Sequence, residues 1–445
     1  MGTVSKKYGL LTTTAMVTGI VIGSGVFFKA DDVLNASGGS LGGSLLAWLI
    51  GGLIMVVSAY TFSLFARRVE KSNGVVDYIE EAYGQEAAYY VALFMGWVYY
   101  PVLSGVLAWV SGLYTATLFE ADGYALWYFA VFYYVLFYVL NYFSPKLSGQ
   151  WQVSATVIKL IPIALIALVG IIVGLINGVT MENFQTSAVV VSSGSAGLAT
   201  AVLATSFAYD GWITATSINA EIIDAKKTLP KALILGTLVV IVAYMLYYLG
   251  LAGVLSNQVF VDQGDNAVYL AAQELFGAAG GTLLLVFVVI SCLGTLNGLT
   301  LGASRGMYSI AVRNRGYKPA LFTKVDAQDA APKASVIVGF IIGALWLVVW
   351  FGNFEGWWGG FMDISELPIA LQYAIFIGVY VYIIRSFKEE STFNRYIAPL
   401  LASAGSLYIV YAAVQKDLFI VFMGIMVILA LIGFIIDRQY KSVDA

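Results

Sequence analysis

Two kinds of residue in this chain can do chemistry, and neither is a conventional catalyst. Lys159 and Asp210 are ionisable groups set within long apolar stretches. The other kind is backbone: Gly23-Ser24-Gly25 lies inside the first apolar stretch, between flanks that can each be helical. Each glycine weakens a helix by about 1 kcal/mol against alanine, so a break is expected there. Unwinding leaves N–H and C=O groups without intrahelical partners. At membrane depth this is tolerated only where the backbone is buried in protein or lines a cavity. Donors and acceptors side by side suit a small zwitterion.

A second apolar stretch is interrupted by Phe207-Ala-Tyr-Asp-Gly-Trp212, which carries an acid and a glycine. One such glycine would ordinarily be read as a packing device. Two interrupted segments at corresponding positions of two halves point instead to the central site of a transporter.

The elements that must position these residues follow from composition. Hydrophobic residues make up 60% of the 445 and charged residues 11%, against about 25% charged in an ordinary soluble domain. Mean hydropathy is +0.85. The expected class is an all-α polytopic membrane protein. Twelve spans of roughly 20 residues each fit the chain, at about 10–34, 43–65, 88–118, 125–143, 151–176, 195–220, 231–255, 281–312, 334–352, 359–384, 396–414 and 418–437. They form one transmembrane domain over 1–445, with repeat one at about 10–176, repeat two at about 195–384 and two further helices at about 396–437. Five spans per half give the halves opposite topology.

Cation placement sets the orientation. With both termini inside, all but four of the 23 Lys and Arg residues fall on the cytoplasmic side. Lys159 and Arg305 lie within segments, and Lys29 and Lys416 lie toward the outside. Lys29 and Asp32 are expected to pair at the outer rim. Asp363 and Glu366 are expected to line an outer vestibule or to be solvated.

Several functions are excluded. The chain has no histidine and one cysteine, Cys292, so Ser-His-Asp and Cys-His catalysis are out, as is an internal disulfide. A zinc or haem site lacks its usual ligands. No P-loop occurs, no basic patch suits nucleic acid, and no cleavable signal pattern precedes segment 1. Catalytic residues, metal and cofactors are expected to be none, and the protein is not expected to be an enzyme.

The motifs carry a resemblance. Ile22-Gly-Ser-Gly-Val-Phe-Phe-Lys29, Thr156-Val-Ile-Lys-Leu-Ile-Pro-Ile163 and Phe207-Ala-Tyr-Asp-Gly-Trp212 occur in order. They are followed by Glu221, Lys227-Thr-Leu-Pro-Lys-Ala232, Cys292-Leu-Gly-Thr-Leu-Asn-Gly298 and Ser304-Arg305. Together they resemble the amino acid–polyamine–organocation superfamily. Within it they resemble the L-amino acid transporters and their bacterial serine/threonine or alanine/serine/cysteine exchanger relatives. The resemblance implies a LeuT-type five-plus-five inverted-repeat core with discontinuous helices 1 and 6.

The resemblance also implies roles. A substrate carboxylate would sit on Ser24 and Gly25, beside Gly23, where the outer half-helix begins. The carbonyls of Val21, Phe207 and Asp210 would take the ammonium, with Ala208 and Gly211 completing the site. Phe207 would be the gate, although it is one of 65 aromatic residues. Lys159 would stand where relatives bind sodium, tethering the segment 1 break around Gly19 to Gly23 to Thr295. Its competing reading is a proton carrier. Asp210 can line the substrate or cap a helix; the two readings weigh equally.

The expected function is sodium-independent exchange of neutral L-amino acids across a bacterial cytoplasmic membrane, by alternating access. The alternatives are a proton-coupled symporter using Lys159 and, more distantly, a transporter-like sensor or a channel. Polyamines or charged amino acids are the runner-up substrates. The loop at Glu120–Tyr124 holds no cysteine, so no disulfide-linked heavy subunit is expected, and the protein is expected to be a monomer.

Overall fold

A computed structural model describes residues 8–69, 73–189, 197–214, 222–326, 331–360 and 364–441. Lys6, Lys7, Lys71, Glu221 and Asp363 lie outside the described residues. Within them regular structure is helical, with one isolated bridge between Tyr8 and Ile222.

In chain order the helices are α1 (Leu10–Val21), α2 (Gly25–Phe28), α3 (Ala30–Ala36), α4 (Leu41–Ala66), α5 (Val75–Phe94), α6 (Tyr100–Leu118) and α7 (Ala125–Phe143). Next come α8 (Pro145–Ile158), α9 (Leu160–Leu165), α10 (Ile171–Asn177), α11 (Val179–Gln185), α12 (Leu198–Ala208), α13 (Ala225–Leu251) and α14 (Asn257–Gln263). The rest are α15 (Ala267–Ser304), α16 (Gly306–Ala311), α17 (Pro319–Phe322), α18 (Lys333–Phe354), α19 (Leu367–Ser386), α20 (Ala398–Val414) and α21 (Phe419–Lys441). Eleven helices among the described residues are long and apolar enough to cross a membrane. The sixth segment is the one not among them, because α12 is only 11 residues long before its break.

The breaks have local causes. α1 stops at Val21, Ile22 turns to an extended ψ of 104°, and helix resumes at Gly25. Helix is interrupted again at Lys29, which separates α2 from α3. Segment 5 breaks at Lys159, between α8 and α9. Pro162 lacks the N–H that the Ile158 carbonyl would need, so the ladder fails there. α5 and α15 each bend at a glycine with nearly the same backbone angles, Gly84 (φ 84°, ψ 176°) and Gly277 (φ 71°, ψ 176°). The long apolar spans begin just past these bends, near residues 88 and 281 as the hydropathy pattern expects.

The chain divides into two compact units. The first comprises Met1–Gly74, Thr156–Ser291 and Ile369–Gln415. Its helices meet through small residues: a Cβ on Gly236 of α13 would lie 2.7 Å from Val17 of α1. A Cβ on Gly250 would collide with the backbone at Ile166 and Ala167. Between α4, α12 and α13 sits an aromatic core, in which Trp48 packs edge-on to Tyr209 and Tyr244 at 5.6 and 5.7 Å.

The second unit comprises Val75–Ala155, Cys292–Pro368 and Lys416–Ala445. Asn141, Ser148, Asn297 and Thr300 form a buried hydrogen-bonded network that joins α7, α8 and α15. Arg313, buried beyond α16, reaches Asp77 at 2.5 Å and Glu80 at 2.9 Å on α5. Glu366 is neither solvated nor in a vestibule. It is 1% exposed and pairs with Lys416 at 2.7 Å, because an acid buried this deeply requires a counter-charge. Cys292 is buried.

Candidate substrate site

The two interrupted segments meet inside the first unit. A Cβ placed on Gly25 would stand 2.6 Å from the Ala208 Cα and 3.1 Å from its N. Only glycine permits backbones to come this close. Gly211, at φ +95°, takes a left-handed conformation that favours glycine. Its Cβ position lies 3.6 Å from the Ile20 carbonyl. Val21, Gly23, Ser24, Gly25, Phe207 and Ala208 are buried, while Asp210 and Gly211 are half-buried.

Backbone groups at both breaks are arranged in turns. The Ser24 carbonyl accepts from the Phe27 amide at 3.0 Å and the Phe28 amide at 3.2 Å. Gly25 and Val26 open α2, and among the described residues their amides have no backbone acceptor. In segment 6 the Asp210 amide donates to the Phe207 carbonyl at 3.4 Å, and the Thr214 amide donates to Gly211 at 2.9 Å.

Tyr244 of α13 joins the two breaks, a role that sequence reasoning did not assign. Its hydroxyl lies 3.2 Å from the Val21 carbonyl and 3.2 Å from the Ala208 carbonyl. It accepts from the Gly23 amide at 3.4 Å. One of 29 tyrosines, it stands out in sequence only as a phenol within an apolar segment.

Phe207 meets Phe28 edge-on at 5.6 Å. Asp210 acts electrostatically on Tyr373 of α19. Lys159 is 3% exposed at the turn between α8 and α9. Within its own unit no described residue gives its ammonium a hydrogen bond or an ion pair. Gly19 is buried on α1, and Thr295 lies half-buried on the part of α15 that belongs to the second unit. Lys29 and Asp32 pair at 2.7 Å as expected, but Lys29 is buried rather than at a solvated rim. Among the described residues no cluster of His, Cys, Asp and Glu is built to hold a metal.

Comparisons with known proteins bear on the family and the fold. A family model described as amino acid permease matches residues 8–436. The chain is 30% identical over 424 residues to the serine/threonine exchanger SteT of Bacillus subtilis (strain 168), covering 93% of this chain and 92% of that one. It is 26% identical to the human cystine/glutamate transporter, over 75% of this chain and 66% of the relative. To the human large neutral amino acids transporter small subunit 2 it is also 26% identical, over 77% and 64%. The chain thus spans about two thirds of the length of these two human relatives. In fold it is similar to Mhp1, a nucleobase-cation-symport-1 family transporter solved in a closed conformation with bromovinylhydantoin bound. The TM-score is 0.57 at 12% identity, over 94% of this chain and 95% of that one. The fold is the polytopic, LeuT-type helical fold that the resemblance implies. The relatives are membrane transporters, and this chain, a multi-pass membrane protein, belongs to the amino acid permease family.

Proposed function

We propose that the protein is a sodium-independent exchanger of neutral L-amino acids, working by alternating access in a bacterial cytoplasmic membrane with both termini cytoplasmic. One observation carries the reading: the breaks of segments 1 and 6 meet at Gly25 and Ala208, where backbone donors and acceptors are gathered in one place. Such a site reads the carboxylate and ammonium common to all amino acids and leaves the side chain to a separate pocket. The amides of Gly25 and Val26 take the carboxylate, with Ser24 beside them. Val21, Phe207 and Asp210 offer carbonyls to the ammonium, and Phe207 covers the site. The similarity to a serine/threonine exchanger supports exchange and small or hydroxylated side chains. Lys159, a buried cation at a helix break, supports sodium independence: its fixed ammonium supplies the charge an ion would bring. The protein works as a monomer without a disulfide-linked subunit.

A thermal-shift screen of the purified protein against the twenty amino acids tests the substrate class, because a ligand that binds the folded state raises its stability by mass action. A set of small neutral amino acids is expected to raise the midpoint. Shifts confined to charged amino acids or polyamines would refute the assignment. Proton-coupled symport is the second reading. It is favoured by the absence, among the described residues of its own unit, of any ion partner for Lys159. A pH gradient imposed on proteoliposomes without internal substrate separates the two: it drives uptake by a symporter and none by an exchanger.

A further inference from the structure

Lys29 is 2% exposed, although a lysine near the end of a membrane helix ordinarily extends its ammonium to water. It ends the short α2, and its ammonium donates to Asp32 at 2.7 Å, one turn along α3. The same ammonium stands over two aromatic rings, 4.8 Å from the Phe28 centroid and 5.7 Å from that of Phe207. Those rings contact each other edge-on.

Two further carboxylates act on this group. Asp31 interacts electrostatically with Lys29, Asp32 and Asp265, and Asp265 with Lys29 and Asp32. Asp265 is carried by a short turn at Gly264–Asn266. Gly264 has φ +51°, and a Cβ there would lie 3.6 Å from the Asp31 Oδ2. Asp32, in contact with the ammonium, supplies the counter-charge that it needs. That pair holds it in place, while the negative face of the Phe207 ring attracts it in turn.

We propose that Lys29 is a positioning residue for the Phe207 gate: its ammonium, anchored by Asp32, holds the Phe207 ring over the substrate site. The inference rests on reading Phe207 as the cover of that site. It adds the group that holds the cover down. Segment 1, by this account, contributes the binding backbone at Ser24 and Gly25 and the latch four residues further on.

The test uses a reporter, Ser24→Cys in a Cys292→Ala background, labelled in intact cells by a membrane-impermeant maleimide. Exchange KM and kcat are measured in parallel in proteoliposomes, without the reporter. A cation over an aromatic ring in a desolvated site contributes roughly a factor of ten to an equilibrium. Lys29→Met is therefore expected to speed labelling roughly tenfold and to raise KM more than it changes kcat. Lys29→Arg is expected to restore both. In Phe207→Ala, labelling is already fast, and adding Lys29→Met changes nothing further. If Phe207→Ala labels at the parental rate, the gate reading fails and the latch fails with it. If Phe207→Ala labels fast but Lys29→Met labels at the parental rate, the gate stands and the latch is overturned. Should Lys29→Met not fold, Asp32→Asn decides: loosening the anchor should speed labelling, and a parental rate would overturn the proposal.

Discussion

Gly25→Ala is the smallest change that tests whether the meeting of segments 1 and 6 is the binding site. The new methyl carbon would stand 2.6 Å from the Ala208 Cα, 3.1 Å from its Cβ and 3.1 Å from its N. Two of these three atoms are backbone, so no rotamer change relieves the overlap. Ordinary carbon contacts need about 3.5–4.0 Å, so the breaks must part by about 1 Å. Overpacking of this kind costs about 1–3 kcal/mol, which is about 5- to 150-fold in an equilibrium constant. If the approach of the two segments forms the substrate site, the loss appears in affinity. The assay is substrate binding to purified protein by calorimetry, with the substrate found in the thermal-shift screen. Gly424→Ala in α21 is the control, because a Cβ there meets nothing within 4 Å and alanine favours helix. Unchanged affinity in Gly25→Ala, with Gly424→Ala equally silent, would refute the placement of the site.

Three more outcomes are expected. Tyr244→Phe removes the hydroxyl shared by Val21, Gly23 and Ala208; leaving buried backbone groups unmatched costs about 1–3 kcal/mol, read as a lower unfolding midpoint together with slower exchange. Lys159→Ala is expected to abolish or strongly impair exchange in proteoliposomes, and near-normal uptake would sink the tether. Arg313→Met strands Asp77 and Glu80 in the second unit and should cost about 3–5 kcal/mol of stability, partly recovered by adding Asp77→Asn; a loss below about 1 kcal/mol would show the pair to be solvated.

Much of the architecture was legible because bilayer physics writes itself plainly into sequence. A helix must be apolar for about 20 residues, and Gly23-Ser24-Gly25 and Asp210-Gly211 interrupt that pattern where the structure has its breaks. The break at Lys159, inside the span expected at about 151–176, was not anticipated, although the proline three residues on signals it. Contacts between distant segments were not legible. Tyr244 lies more than 200 residues from Val21 and Gly23, and nothing in its own neighbourhood marks it among the other tyrosines. Lys29 and Asp32 announced their pairing by spacing, but not the burial of Lys29, because Phe207 comes from elsewhere in the chain. Glu366 misled for the same reason: its partner, Lys416, lies 50 residues on, beyond α20.

The Tyr244 hydroxyl has one proton and two carbonyls at the same distance, 3.2 Å from Val21 and 3.2 Å from Ala208. The proton can be given to either, so the two hydrogen-bonded arrangements are nearly degenerate. If segment 1 draws away by a few tenths of an ångström, the proton passes to segment 6, and the reverse holds as well. The hydrogen bond made by the hydroxyl proton is then kept before, during and after the parting. A joint that forfeited a buried hydrogen bond at each opening would add about 1–3 kcal/mol to the barrier of every cycle. A joint that hands one proton between two claimants adds almost none, so under the proposed alternating access two broken helices would separate and rejoin at little cost.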